Sequence, residues 1–188
     1  MINKYVVDEK IKYDGTQLRS LWAFNSFGIQ GDSIVCFRGS CDIKFNNMVD
    51  MLDVQKGDSI FSEDMLHFII EHFDMDLEKT IIRQRLFISI IKDIIEIYTN
   101  YHFTRDGDDL YRDDAKLSVS IATLTPVSSI IHTGINISSK NTPVKTIGLY
   151  DVGCEDSCIL NLANKISDCY VMEIQSIKMA RCKVRGVD

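Results

Sequence analysis

The chain has 188 residues, of which 45% are hydrophobic and 26% are charged, and its formal net charge at pH 7 is −6. These proportions are typical of a folded globular protein and argue against a disordered chain. The acidic balance and the lack of a sustained basic stripe argue against binding to the phosphate backbone of nucleic acids. A chain of this length suits one domain with a sizeable core, so we predict a single domain over residues 1–188.

No apolar segment of the signal-peptide kind follows Met1, and no apolar run is long enough to span a bilayer. We therefore expect a cytoplasmic protein without membrane contacts. We expect its six cysteines to be free thiols, because the cytosol keeps thiols reduced. The spacings between Cys36 and Cys41 and between Cys154 and Cys158 also fall in the range of zinc-binding pairs. Because Cys36 lies in a predicted buried strand and Cys158 in a predicted helix, we predict no metal site.

The first predicted element is a helix over residues 14–27, which Asp14 caps and Gly28 ends. Residues 33–38 are β-branched and aromatic, and this composition predicts a buried strand. The Gly-Ser pair at 39–40 is typical of a turn. We therefore expect a second, separate strand near residues 42–45.

Residues 65–73 are compatible with a helix capped by Ser62 or with a strand, and we predict a strand. In the next segment, apolar residues recur at intervals of three and four positions while charged residues fill the remainder. This pattern predicts a long amphipathic helix. Its predicted apolar face consists of Leu77, Ile81, Ile82, Leu86, Ile90, Ile94 and Ile97.

Turn residues follow this helix, because residues 106–109 read Asp-Gly-Asp-Asp and an Asp-Asp pair at 113–114 separates two β-like runs. The next two predicted elements are antiparallel strands at 116–125 and 129–137, joined around Pro126. A short strand at 145–150 and a last helix at 156–177 follow them. The order of elements lacks a regular βαβ alternation. We therefore predict an α+β fold, with a mixed or antiparallel sheet covered on one side by the two long helices.

The segment from Gly107 to Ser138 is the most informative for function. Asp108 and Asp109 open a strand, a tight turn follows, Lys116 starts the next strand, and a Gly-Ile-Asn sequence at 134–136 ends the unit. This unit resembles the core hairpin of the biotin and lipoate protein ligase superfamily. The resemblance implies the fold of that superfamily and a site around Lys116 that includes Gly134 and Asn136.

Two upstream segments extend the resemblance. The Cys-Phe-Arg-Gly-Ser-Cys run at 36–41 is similar to the strand and glycine-rich loop that hold the acyl group in lipoate ligases, and residues 62–68 lie where those proteins continue into a strand. The resemblance therefore implies substrate contacts from Arg38, Gly39, His67 and His132. The whole chain also resembles an archaeal family of conserved proteins of similar length, which implies a lineage but no activity.

The resemblance implies ligase or acyltransferase chemistry on a small carboxylic acid, with ATP and Mg²⁺ as cofactors and an acyl-carrier protein domain as acceptor. Activation of a carboxylate with ATP builds negative charge on the carboxylate and on the α-phosphate, and an ammonium held between them stabilises that charge. Lys116 is for this reason the predicted catalytic residue. Asp109 is predicted to orient the ammonium or to help hold the metal ion on the nucleotide.

The residues leave three alternatives open. A lysine beside the aspartates of a turn, such as Lys116, also suits an exposed ion pair that contributes little to stability. The superfamily has a glycine where this chain has Val119, and its loss suits a module that binds its ligand without catalysis. Cys154 follows an Ile-His-Thr-Gly-Ile-Asn sequence at 131–136, and its thiolate would serve a lipoyl or octanoyl transferase as nucleophile.

Overall fold

A computed structural model of the chain describes residues 2–57 and 60–187. Eight strands occur in it, in chain order β1 (Asn3–Val6), β2 (Ser33–Ile43), β3 (Ile60–His72), β4 (Thr104–Asp106), β5 (Asp109–Arg112), β6 (Ala115–Lys116), β7 (Ser118–Leu124) and β8 (Ser129–Asn136). The α-helices of this part of the chain are α1 (Trp22–Phe27), α2 (Met51–Lys56), α3 (Leu77–Thr99) and α4 (Asp156–Ala180).

The strands form two sheets. The larger sheet has the order β1-β2-β3-β8-β7, and β4, β5 and β6 form a small sheet beside it. In the larger sheet β1 pairs with β2 in parallel and the other pairs are antiparallel. The predicted α+β class with a mixed sheet is therefore confirmed.

The two faces of the larger sheet carry separate cores. On one face, side chains such as Phe68 of β3 pack against α3 and α4, including Phe87 and Leu162. On the other face, Phe37 and Met65 pack with residues of α1 and with the preceding loop. The long helices thus cover one side of the sheet, as predicted, and leave the other side to shorter elements. In the described part of the chain, no helix combines the length and the apolar character needed to cross a bilayer.

The helix α3 is confirmed, but its buried face is not the predicted one. Phe87, Ile88, Ile91 and Ile95 are buried, whereas most of the residues predicted to face the core, among them Ile82 at 61% and Ile97 at 75%, are at least partly exposed. The segment contains two apolar stripes at helical spacing, and spacing alone does not tell which of them meets the sheet. The stripe with the phenylalanine is the one that packs.

The predicted helix over residues 14–27 is wrong in its first two turns. The Asp14 carboxylate accepts hydrogen bonds from the N–H of Thr16 (3.0 Å) and from its hydroxyl (2.6 Å), which is a turn rather than a helix cap. Gly15 has φ 87° and Leu21 has φ 61°, and such left-handed backbone does not continue a helix. The helix is therefore confined to α1, which Gly28 ends in a left-handed conformation as predicted.

The predicted turn at 39–40 is also wrong, because β2 continues through it to Ile43. Gly39 is required for another reason: the segment that follows β1 runs along β2, and the Ile11 N–H donates to Arg38 O at 2.9 Å. A Cβ on Gly39 would lie 1.9 Å from the Ile11 carbonyl oxygen. The glycine thus marks a close backbone approach within a strand, and not a reversal of the chain.

The remaining predictions concern the hairpins and the last helix. The strand chosen for residues 65–73 is confirmed by β3, and the antiparallel strands around Pro126 are confirmed by β7 and β8. The strand predicted at 145–150 is wrong, since it is reduced to one isolated bridge between Lys116 and Thr146 and then a 3-10 turn at Leu149–Val152. The last helix, α4, extends three residues beyond its predicted end.

Candidate functional site

A cavity of about 220 Å³ lies on the sheet face that α1 shares, away from the long helices. Apolar side chains form much of its wall, among them Ile43, Ile60, Met65 and Val119. The volume is below the roughly 300 Å³ at which sites for drug-sized ligands begin. The cavity therefore suits a small ligand with an apolar part.

Lys116 reaches this cavity from the small sheet. The pairing of β5 with β6 places Lys116 opposite Tyr111, and Asp109 lies two residues earlier on the same face of β5. Lys116 Nζ lies 2.8 Å from Asp109 Oδ2. The backbone of Lys116 is held from the other side, because its N–H donates to Lys145 O (3.0 Å) and its carbonyl accepts from Ile147 N (3.1 Å). The hairpin and the 145–147 segment together fix the ammonium at the cavity wall.

Both members of this ion pair are largely buried, with 28% of the Lys116 side chain and 23% of the Asp109 side chain exposed. Burial by itself would lower the pKa of the Lys116 ammonium, but attraction by Asp109 outweighs burial and raises that pKa. Burial raises the pKa of the Asp109 carboxyl, and Lys116 offsets this only in part because Asp108 adds repulsion. The Lys116 ammonium is therefore charged at neutral pH.

The charged residues that line the cavity are mostly acidic. Lys116 stands among four carboxylates, from Asp50, Asp53, Asp108 and Asp109, and is the one lysine or arginine of the described lining. Within residues 2–57 and 60–187, no group of three or more His, Cys, Asp or Glu is arranged to hold a metal ion. These carboxylates repel a phosphate that carries no metal ion, whereas one or two of them would be enough to hold Mg²⁺ on a nucleotide.

A chain of aromatic and imidazole rings forms another wall. The rings of Tyr13 and His132 are stacked, with 3.7 Å between centroids and an interplanar angle of 10°. His132 Nε2 lies 3.1 Å from His67 Nδ1, and His67 Nε2 lies 3.3 Å from the Gly39 carbonyl oxygen. Burial lowers the pKa of His67 to about 4 and that of His132 well below its usual value. Both imidazoles are therefore neutral at pH 7.

Two residues of the cavity lining have buried hydroxyls that find no hydrogen-bond partner within residues 2–57 and 60–187. Tyr13 is fully buried and Ser62 is 2% exposed, both line the cavity, and neither side-chain oxygen is paired within the described residues. A buried hydroxyl without a partner costs on the order of 1–3 kcal/mol. Sequence reasoning missed both residues, because nothing in their local sequence distinguishes them from ordinary core or strand positions.

The family assignment comes from comparison with known proteins. Residues 2–185 match the model of a domain of unknown function, DUF366. The chain belongs to the DUF366 family. It is 44% identical over 178 residues to an uncharacterised protein of Methanocaldococcus jannaschii, with 92% of this chain and 79% of that protein covered. A solved protein of unknown function from Pyrococcus horikoshi has a TM-score of 0.93 and 35% identity, and the match covers 100% of both chains.

More distant structures share the fold of this DUF366 chain. Biotin protein ligase from Aquifex aeolicus, solved with biotin and ATP, has a TM-score of 0.57 at 15% identity, covering 90% of this chain and 69% of the ligase. A candidate lipoate protein ligase from T. acidophilum with bound lipoic acid has a TM-score of 0.59 at 10% identity, and the match covers 92% of this chain and 86% of that protein. The predicted resemblance to the biotin and lipoate protein ligase superfamily is confirmed at the level of the fold.

The structure brings four of the predicted site residues to the cavity, namely Lys116, Asp109, His132 and Asn136. Their chemical roles stay predictions. The Asn136 side-chain amide donates to Lys116 O at 3.3 Å, so it supports the backbone that carries the ammonium. Gly134 lies behind the wall, where a Cβ would come within 2.8 Å of the Met65 methyl group. The missing side chain there leaves room for Met65, which does line the cavity.

Three predicted contacts lie outside the cavity lining. His67 is fully buried behind His132, and Gly39 is covered by the Ile11 backbone. Arg38 points to the opposite face, where it donates to Asp64 and to Asp156, the latter at 2.6 Å. The prediction of the arginine at the site assumed that its neighbour Gly39 opened a loop. In the continuous strand, alternate residues face opposite sides of the sheet, and Arg38 therefore faces away.

Cys154 differs from its predicted state. It forms a disulfide with Cys158, across the start of α4, so the prediction of six free thiols is wrong for this pair. The prediction rested on the reducing cytosol and did not consider that the two cysteines are only four residues apart. At the start of a helix this spacing places their side chains next to each other. Cys36, Cys41, Cys169 and Cys182 are free. Cys154 does not line the cavity and carries no thiolate while it is paired, so the structure lends the cysteine-dependent transferase no support.

Arg38 has a structural role that can be tested. Its guanidinium joins β3 and α4 through carboxylates, one of which, Asp64, is only 16% exposed in its side chain. We expect Arg38→Ala to lower the free energy of unfolding by about 2 kcal/mol, because it removes the guanidinium hydrogen bonds from that carboxylate and leaves it only the more distant Lys10 ammonium. Lys10→Ala is the control, since Lys10 is 67% exposed and lies 3.8 Å from the same carboxylate. Urea unfolding measures both, and equal effects would contradict the assignment.

Proposed function

We propose that the cavity binds a small carboxylic acid whose carboxylate contacts the Lys116 ammonium. The observation that carries this proposal is the position of one fixed, charged lysine at the wall of a small cavity whose other lining residues are uncharged or acidic. Proteins of the same fold bind acids of this class: the Aquifex structure contains biotin and the T. acidophilum structure contains lipoic acid. The function proposed is therefore recognition of an acid with a short apolar chain.

Charge favours a monoacid over a polyanion. A single carboxylate can share the Lys116 ammonium with Asp109, because an ammonium has three N–H donors and Asp109 occupies one direction of approach. A second negative group on the ligand would lie among the other aspartates of the lining, without a cation to meet it. Apolar side chains of the wall, such as Ile60 and Met65, contact the hydrocarbon part of the acid.

A ligand titration tests the proposal. The melting temperature of the purified protein is measured with octanoate, lipoate and biotin, each over a concentration series, and with octanamide as a neutral control. We expect at least one acid to raise the melting temperature, because a ligand that binds only the folded state adds RT ln(1 + [L]/Kd), about 2.7 kcal/mol at a hundredfold excess over Kd. The amide should have a much smaller effect. An equal effect of octanoate and octanamide would contradict a role for the lysine.

Activation of the acid with ATP is a second candidate function. The observation in its favour is the similarity to a ligase solved with biotin and ATP, and the acidic lining would oppose the nucleotide only in the absence of Mg²⁺. If the chain forms an acyl-adenylate, the acid should trigger release of pyrophosphate from ATP, and a lysine of an acyl-carrier protein domain would accept the acyl group. Acid binding without pyrophosphate release, at any Mg²⁺ concentration, would leave the chain a binding module, a role that Val119 in the wall also suits.

A further inference from the structure

A glycine interrupts the row of side chains that β8 directs at the cavity. His132 and Asn136 line the cavity, and Gly134 lies between them on the same face of the strand, because alternate residues of a strand point to the same side. Without a Cβ, Gly134 leaves a depression in the sheet beneath the cavity. The side chains around this depression decide how deep the cavity is.

The side chain of Met65 occupies this depression. A Cβ on Gly134 would lie 2.8 Å from the Met65 methyl group, and 3.4 Å and 3.5 Å from side-chain atoms of Val119 and His132. All three of these neighbours line the cavity. Met65 is only 1% exposed, so its methyl group fills space beneath the cavity and does not project freely into it. The methyl group therefore closes the cavity on the side of the sheet.

Burial increases from Lys116 towards Met65. The Lys116 side chain is 28% exposed, whereas Met65 and His132 are buried. A ligand with one charged end keeps that end where water remains, and places its hydrocarbon chain where water is excluded. An acid held at Lys116 thus directs the end of its chain to the floor that Met65, Val119 and His132 form.

We propose that Met65, seated over Gly134, sets the longest acid that the cavity accepts. This inference rests on the proposed function, because it takes the carboxylate to be held by Lys116. The ligand class is then an acid with an apolar end that reaches the Met65 methyl group. A longer acid would have to move Met65 out of a packed position, and compression of a well-packed interior is unfavourable. Met65 and Gly134 together therefore determine the chain-length specificity.

Two substitutions should move this limit in opposite directions. Met65→Ala removes about three non-hydrogen atoms from the depression, and the best acid should become about two or three carbons longer. Gly134→Ala adds a Cβ at the place of the methyl group, and the flexible end of Met65 gives way to it. The displaced methyl group then takes space from the cavity, and the best acid should become about one or two carbons shorter. The φ of Gly134 is not positive, so alanine fits the strand.

Calorimetric titration with straight-chain acids from butanoate to dodecanoate, in steps of one carbon, measures the limit. In the wild type the affinity should rise about fourfold per carbon up to the best acid, which is the effect of one buried methylene, and fall beyond it. The first acids beyond that limit should bind to Met65→Ala on the order of tenfold more tightly than to the wild type. The best wild-type acid should bind to Gly134→Ala about tenfold more weakly.

The double variant separates a role in specificity from a purely structural one. In Met65→Ala the methyl group that Gly134→Ala displaces is absent, so the two effects should not add. The best acid of the double variant should be no shorter than that of the wild type. Leu66→Ala is the control for lost stability, because Leu66 is the buried neighbour of Met65 and packs on the opposite face of the sheet. It should lower the melting temperature and keep the wild-type limit.

An unchanged best length in Met65→Ala and Gly134→Ala overturns the inference, and so does a limit that moves with Ile60→Ala but not with Met65→Ala. Should Met65→Ala not fold, an unchanged best length in Gly134→Ala is sufficient to overturn it. Lys116→Ala and the matching series of neutral amides separate the two proposals. If the acids need Lys116 but their best length ignores Met65 and Gly134, the inference alone fails. If amides bind as tightly as acids and both series follow the limit, the inference stands and the proposed function fails. Binding of neither series overturns both.

Discussion

Substitution of Lys116 by alanine is expected to weaken binding of the acid on the order of a hundredfold. A hydrogen bond between charged groups contributes about 1.5–3 kcal/mol, which is about ten- to hundredfold in affinity. The variant also leaves Asp109 without its partner at the cavity wall, and that carboxylate then repels the ligand. Both effects act in the same direction. Calorimetric titration of octanoate, or of the acid that gives the largest shift in melting temperature, measures the change.

The stability of the same variant should also fall, because Asp109 is only 23% exposed and loses its partner. A largely buried group left without its partner costs on the order of 1–3 kcal/mol, so the affinity is compared at a temperature at which the variant is folded. Lys145→Ala is the matched control, because it removes the same charge from the neighbouring segment, where Lys145 is 68% exposed and pairs with Asp114. We expect no change in affinity there. Lys116→Arg should not restore binding, since the broad guanidinium does not reproduce a compact ammonium.

Asp109→Asn should change the affinity in the opposite direction. The ligand carboxylate competes with Asp109 for the Lys116 ammonium, so its neutral replacement should tighten binding severalfold. Equal losses in Lys116→Ala and Asp109→Asn would mean that the pair acts as one hydrogen-bonded unit, and that the lysine does not bind the carboxylate by itself. If adenylation occurs, Lys116→Ala should also lower turnover on the order of a hundredfold, and Cys154→Ser should leave it unchanged.

The hairpin of β5 and β6 is the part of the site that can be predicted from local sequence. Asp109 and Lys116 come together because the turn between β5 and β6 involves adjacent residues, with Asp113 in a left-handed conformation. Turn residues and spacing are local signals, so the sequence contains what is needed to predict the pairing. The hairpin wall of the cavity was therefore predictable from local sequence.

The opposite wall could not be predicted in the same way. Ser62 faces the cavity only because a bulge shifts the register of β3 against β2, and a shift of one residue changes the face of every following side chain. Tyr13 reaches the site only because the segment after β1 runs along β2. Both are consequences of pairing between distant segments. The misplacement of Arg38 has the same origin, since it depends on whether Gly39 reverses the chain or continues it.

Low pH should reduce the free energy of unfolding, because the protein contains buried imidazoles. Burial lowers the pKa of His67 from 6.5 to about 4. Between these two pH values the unfolded chain binds a proton at this residue and the folded chain does not, so the free energy of unfolding falls as the pH falls from 6.5 to 4. The difference of about 2.5 pH units corresponds to about 3 kcal/mol for His67 alone. His132 and His72, whose pKa values burial also lowers, add to the fall.

The carboxylates whose pKa values are lowered act in a different window, which separates their contribution from that of the histidines. The pKa of Asp74 is lowered to about 2 from 3.8, because its hydrogen bonds with Arg83 and Lys79 outweigh the effect of burial. Its contribution is complete above the unfolded pKa and is lost only as the pH falls from about 4 to about 2. Urea unfolding at pH 7, 6, 5 and 4 therefore reports mainly on the histidines.

Replacement of His67 by glutamine assigns the effect. The amide can still donate to the Gly39 carbonyl and accept from His132, the two contacts that His67 makes, but it does not titrate. We expect the fall in unfolding free energy between pH 7 and pH 4 to be about 3 kcal/mol smaller in His67→Gln than in the wild type. His102→Gln is the control, because its side chain is 99% exposed, and it should keep the full slope. A wild type whose stability is unchanged from pH 7 to 4.5 would show that these imidazoles are not held neutral.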